Sequence, residues 1–184
     1  MSAYENCNTT AAKGVARLLP FIKERAHDGQ LVVTNKGPLA PFLQKTVGDV
    51  VINTDPERIW TIEIKTEEKH TGNLFLEYWS NLNLEERRSH AERGTTPGWL
   101  HTLRADLIFF YFLDTDDLYI FNLFRLQQWA LREREIYKFP LKRQKRHLQA
   151  NDTHGHIVPI SDLRRHIGFR HAKVSQLELS LEAA

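Results

Sequence analysis

The stretch Gly48-Asp49-Val50-Val51-Ile52-Asn53-Thr54-Asp55-Pro56-Glu57-Arg58-Ile59-Trp60-Thr61-Ile62-Glu63-Ile64-Lys65-Thr66 reads as a β-hairpin. Asp49–Ile52 and Ile59–Thr66 are rich in β-branched residues, and Asn53–Glu57 between them carries the Asn, Asp and Pro of a tight turn. Successive strand side chains point to opposite faces. Ile62 and Ile64 therefore share one face, and Glu63 and Lys65 share the other. Asp49 stands at the start of the partner strand.

Asn73–Trp79 reads as a third strand, Leu74, Leu76 and Tyr78 alternating with Phe75 and Glu77. Asp49, Glu63 and Glu77 then fall on three successive strands, evenly spaced along the chain. In a meander, neighbouring strands lie about 4.8 Å apart, so carboxylates at matching heights can converge. Convergent carboxylates suit a hard cation. Mg²⁺ takes oxygen ligands in octahedral geometry and keeps several waters, and Mn²⁺ is its usual substitute. Asp49, Glu63, Glu77 and the Ile64 main-chain carbonyl form a candidate ligand set. Lys65 beside them is placed to orient a water or to stabilise developing negative charge, as phosphodiester cleavage requires.

Before the hairpin, Ala11–Ala26 carries helical periodicity after a Thr9-Thr10 cap, interrupted by Pro20, which predicts a kinked or two-part helix. Leu31–Val33 is a short strand and Asn35–Pro38 a turn. After the third strand, Leu84–Gly94 is a charged surface excursion and Trp99–Arg104 a short helix. Ala105–Leu113 and Leu118–Phe121 are apolar strands, and Phe124–Arg134 is a helix. Leu141–Asn151 is a basic helix or loop. Ile157–Ile160 is a strand, followed by a short helix, Leu163–Ile167, capped by Ser161 or Asp162. The expected fold is α/β (α+β), a mixed sheet covered by helices.

The 184 residues fit one domain, 1–184, with a basic C-terminal region at 125–173. That region holds twelve Lys/Arg against four Asp/Glu, a net of +8 in a chain whose total is +2. Lys142, Arg143, Lys145 and Arg146 are candidate contacts to a polyanion, as are Lys69 after the hairpin and Arg104. A single cysteine, Cys7, excludes an intrachain disulfide and points to a reducing cytoplasm. The longest apolar run, Leu107–Leu113, is too short to span a bilayer, so no membrane partner is expected. Five histidines, His147, His154, His156, His166 and His171, match no standard zinc spacing and read as exposed residues.

Asp49…Glu63-Ile64-Lys65 resembles the signature of the PD-(D/E)XK nuclease superfamily, with Gly48 where the usual proline stands. The run Gly72-Asn73-Leu74-Phe75-Leu76-Glu77, followed by Gly98-Trp99-Leu100 and Arg104-Ala105-Asp106, is similar to phage-type members. The resemblance covers residues 46–125. It implies a restriction-endonuclease-like sheet flanked by helices, the site at one edge of the sheet, Asp49 and Glu63 as metal ligands, and Lys65 as the catalytic lysine. Glu77 would be a ligand or an orienting acid, Arg104 a base near the scissile phosphate, and Glu24 or Glu5 an acid from the first helix. Asp106 and Trp99 read as structural, a turn acceptor and a core ring. The expectation is a Mg²⁺-dependent endonuclease acting on DNA, possible as a homodimer. The alternatives are an RNA-cleaving nuclease and a catalytically idle nucleic-acid-binding module.

Overall fold

The computed structural model of the chain describes residues 3–34, 43, 47–82, 96–144 and 152–176, side chains of residues 3–8 excepted. Helix α1 (Ala3–Lys23) starts before Thr9-Thr10 and runs unbroken through Pro20. Val15, Leu18, Phe21 and Ile22 bury one stripe of it, and that packing outweighs the one hydrogen bond proline removes. Arg25 donates to the Phe21 carbonyl and helps close the helix end. A 3-10 turn, His27–Gly29, leads to β1 (Leu31–Val33).

The hairpin forms. β2 (Val50–Asp55) pairs antiparallel with β3 (Arg58–Glu67), Val50 opposite Ile62, and the turn contracts to Pro56-Glu57 with a bulge at Asn53–Asp55. The third strand does not complete a meander. β4 (Asn73–Asn81) leaves for a second sheet, because the free edge of β3 is taken by β6 (Leu107–Phe112), parallel to it. β6 is buried at five of its six positions, as a parallel strand covered on both faces should be. Between them lie β5 (Thr96–Pro97) and α2 (Trp99–Thr102).

The rest alternates between the sheets. β7 (Asp117–Asn122) pairs with β6, and α3 (Leu123–Gln127) continues into a wider π-helical turn, Gln128–Arg132, in place of one regular helix. A 3-10 turn, Glu135–Lys138, precedes β8 (Leu141–Arg143), so the basic segment begins as a strand. β9 (His154–Pro159) starts earlier than its apolar run. α4 (Ile160–His166) starts straight after Pro159, with Ser161 and Asp162 inside it and no side-chain cap bond. β10 (Arg170–Lys173), unforeseen, pairs with β7.

Among the described residues the strands form a six-stranded mixed sheet, β1-β2-β3-β6-β7-β10, and a four-stranded antiparallel sheet, β5-β4-β9-β8. This is a mixed α/β, α+β architecture. One face of the larger sheet packs under α1 through Ile62, Ile64, Phe109 and Tyr111, so tightly that a Cβ at Gly14 would collide with Thr66. Its other face, carrying Ile108, Phe110 and Phe112, packs on Leu74, Leu76 and Val158 of the smaller sheet. That face is therefore covered by a second sheet as well as by helices. Of the proposed acids, Glu63 and Glu77 sit on inner strands and Asp49 just before one. No described helix is long and apolar enough to cross a membrane. The expected turn Asn35–Pro38 and excursion Leu84–Gly94 lie outside the described residues.

Candidate functional site

Gly48 sets the geometry. Its φ is +84°, and a Cβ there would stand 2.8 Å from the Ile62 carbonyl oxygen, so only glycine fits. The close approach lets the Asp49 N–H donate to the Ile62 carbonyl at 2.8 Å while the Asp49 carbonyl accepts from Thr34 N–H at 2.9 Å. Asp49 Oδ2 then accepts from the Ile64 N–H at 2.8 Å, standing in for the next main-chain acceptor of the ladder. The carboxylate of Asp49 is thus fixed against the strand that carries Glu63 and Lys65.

Alternation puts Glu63 and Lys65 on the intersheet face, beside Ile108 and Phe110 of β6. Glu63 is buried, and Lys65 Nζ donates to its Oε1 at 2.5 Å. The ammonium also lies 5.9 Å from the Trp99 ring centroid, at the outer limit of a cation–π contact. Burial pushes the Asp49 carboxyl up and the Glu63 charge adds to it. The Ile64 N–H and Lys65 oppose them, and the result is about 6. For Lys65, burial alone would lower the value. The charges of Glu63, Asp49 and Glu77, with the Glu63 hydrogen bond, outweigh burial and raise it. Lys65 is a firmly charged ammonium.

Glu77 belongs to the other sheet, yet its charge acts on Lys65. Gly98 backs onto it: a Cβ there would be 2.5 Å from the Glu77 carbonyl oxygen, so α2 can dock only through glycine. The three acids thus act on one lysine, Glu63 by direct contact and Asp49 and Glu77 through their charge, and Glu77 does so from the second sheet and not from a three-strand meander. Among the described residues, however, no three His, Cys, Asp or Glu side chains are grouped to hold one metal ion. The donors available to a hard cation are the Asp49 and Glu63 carboxylates with the Ile64 carbonyl.

The other sequence candidates scatter. Glu24 is exposed just past α1, which covers the opposite face of the sheet. Glu5 is in α1, its side chain outside the described residues. Arg104 turns back to donate to the His101 and Leu103 carbonyls at 2.9 Å each, capping α2. Asp106 is a structural acceptor, taking the Thr61 N–H at 2.8 Å and its hydroxyl at 2.7 Å. Trp99 packs on the intersheet core. Lys69, Lys142 and Arg143 line one groove, Arg143 paired to Asp152 at 2.8 Å. Lys145, Arg146 and His147 lie outside the described residues.

The histidines correct the expectation of uniform exposure. His154 and His156 are buried, held at Nδ1 by the Asp152 carbonyl (3.0 Å) and the Phe139 carbonyl (2.8 Å), whereas His166 and His171 are exposed. Sequence reasoning missed the Trp99 ring beside Lys65, for which the Gly98-Trp99 pair was the available signal. Compared with family models, curated proteins and solved structures, the chain matches none.

Proposed function

We propose that the chain is a divalent-metal-dependent nuclease, with Mg²⁺ as its ion and DNA as its substrate. The observation that carries this reading is geometric: Asp49, fixed through its Oδ2 by the Ile64 N–H, stands against the strand whose buried Glu63 is hydrogen-bonded to Lys65. Burial and mutual repulsion hold Asp49 near 6, so a cation able to displace its proton is favoured there. The donor set fits Mg²⁺, all oxygen and few in number, leaving positions for water and phosphate. Asp49 and Glu63 would hold the ion with the Ile64 carbonyl, and it would supply Lewis-acid polarisation of the scissile phosphoryl group.

The residues of the chain define the remaining roles. Lys65, kept protonated by three acids, is not a base. It orients the attacking water through its donors or stabilises the charge that develops on the phosphoryl oxygens. Glu77 keeps that proton in place from the opposite sheet. Gly48 and the Ile64 N–H fix the orientation of Asp49. Lys65 is bonded to Glu63, one of the carboxylates the ion would need, which also favours a second reading, a binding module that never cleaves.

The test is digestion of labelled DNA and RNA oligonucleotides with Mg²⁺, Mn²⁺ or EDTA, using the wild-type chain and Lys65→Ala. Metal-dependent cleavage of DNA, lost in the variant, is expected. Cleavage equal in both chains sinks the mechanism. Binding without cleavage under every metal selects the idle module, and cleavage of RNA alone replaces the substrate.

A further inference from the structure

The face of β3 that carries Glu63 and Lys65 continues to Glu67, one side-chain repeat further, about 7 Å along the strand. There it opens into a groove of about 330 Å³. Lys69 contributes from the β3–β4 connection, and Lys142 and Arg143 from β8. Phe75 and Ile157, cross-strand partners on β4 and β9, give the groove an apolar surface. The Phe75 ring lies over Gly155, where a Cβ would meet its Cζ at 2.6 Å. Gly155 is opposite Lys142 in the β8–β9 ladder, so the glycine lets an aromatic ring lie next to a cation.

The charge of the groove selects its occupant. Among the described residues that line it Glu67 is the one acid, and Arg143 is already paired with Asp152. Lys69 and Lys142 are exposed and have no carboxylate partner among the described residues. Cations beside an aromatic surface suit a ligand with an anionic backbone and a flat apolar face, as each unit of a nucleic acid strand has. The volume is at the lower end of small-ligand sites. A paired base in a duplex keeps its faces in the stack and cannot lie against Phe75, whereas an unpaired base can.

We infer that this groove seats an unpaired nucleotide of the strand that crosses Asp49, Glu63 and Lys65, and that the substrate is single-stranded DNA or a single-stranded overhang. The identity of the ligand rests on the nuclease reading; the chemistry of the groove does not. Lys69 and Lys142 contact phosphate, and Phe75 stacks on the base.

Fluorescence anisotropy of labelled single-stranded and duplex oligonucleotides, with the full chain in EDTA, separates binding from cleavage. The single strand should bind tighter than the duplex by about tenfold. Lys69→Ala combined with Lys142→Ala should reduce the slope of log K against log salt by about 1.4, or about 0.7 per phosphate contact. Phe75→Leu, which keeps the apolar volume, should weaken single-strand binding about tenfold without changing that slope, its thermal melt confirming the fold. Equal affinity for the two forms, or unchanged binding by these variants, overturns the groove. Metal-dependent cleavage alongside that result leaves the nuclease reading standing. Strong groove-dependent binding with no cleavage under any metal ends the nuclease reading and keeps the groove.

Discussion

Asp49 and Asp117 are the same residue type, one just before a strand and the other its first residue, and both beside a lysine, yet they are driven in opposite directions. Burial raises both. At Asp117 the hydrogen bonds from His171 Nε2 (2.7 Å) and Lys173 Nζ (3.1 Å) outweigh burial and bring the carboxyl down to about 2. His171 is itself stacked on Tyr119, centroids 4.5 Å apart, so β7 and β10 are tied by charge and by ring contact. At Asp49 one N–H and a shared lysine do not offset burial and the neighbouring Glu63, and the carboxyl stands at about 6. The number of donors facing a carboxylate, more than the presence of a lysine nearby, decides its role. A saturated acid ties strands together, and an undersupplied one is, on the proposed function, the one suited to a cation.

The contrast breaks most decisively on activity. Glu63→Gln or Lys65→Ala should lower metal-dependent cleavage by about 10²–10³-fold in an oligonucleotide assay, whereas Asp117→Ala should leave the per-molecule rate of the folded fraction near wild type. On metal affinity, calorimetric titration with Mn²⁺ should show binding weakening about tenfold per unit as pH falls below about 6, because the cation must displace the Asp49 proton. On stability, Asp117→Ala removes the acceptor of His171 and leaves Lys173 only the Thr115 carbonyl, and it should cost about 0.5–1.5 kcal/mol, seen as a lower Tm. The smallest effect is the reverse in sign. Asp49→Asn keeps an oxygen for the Ile64 N–H and removes a desolvated charge, so the stability at neutral pH should rise by about 0.5–2 kcal/mol, seen as a higher Tm.

The pH dependence of stability sharpens the same pair. The folded value of Asp49 lies above its ordinary 3.8, so its contribution is full below pH 3.8 and is lost as pH rises through about 6. Asp117 lies below 3.8, so its contribution is present above that pH and is lost as pH falls through about 2. The Asp49→Asn and Asp117→Ala variants should each remove one of these two limbs from a Tm-against-pH curve.

The local part of this was legible in the sequence. Pro56 between two β-branched runs fixed the hairpin, and strict alternation put Glu63 and Lys65 on one face. The apolar run Ala105–Leu113 announced a strand, which forms at Leu107–Phe112. What escaped depends on distant pairing. Asn73–Asn81 has a clear strand pattern, but its partner β9 is some eighty residues downstream, and nothing in either run names the other. Leu141–Arg143 lacks alternation and becomes a strand only because His154–His156 offers an edge. His154 and His156 looked polar and were therefore assigned to solvent, yet main-chain carbonyls satisfy them in the interior. Arg104 was expected at the end of a short helix, but not that its guanidinium would turn back onto the His101 and Leu103 carbonyls there.

The order in which the chain visits the two sheets has a kinetic consequence. β1–β3 enter the larger sheet, β4–β5 the smaller, β6–β7 the larger again, β8–β9 the smaller, and β10 returns. Neither sheet can be completed before the other is well advanced, and the central β3–β6 pair joins Ile62 to Leu107 across the whole β4–α2 excursion. Such long-range closure makes for slow assembly and for loss of both sheets in one transition. A backbone nick or truncation between β7 and β10 should therefore cost the region around Asp49 its order, although no residue there has been touched.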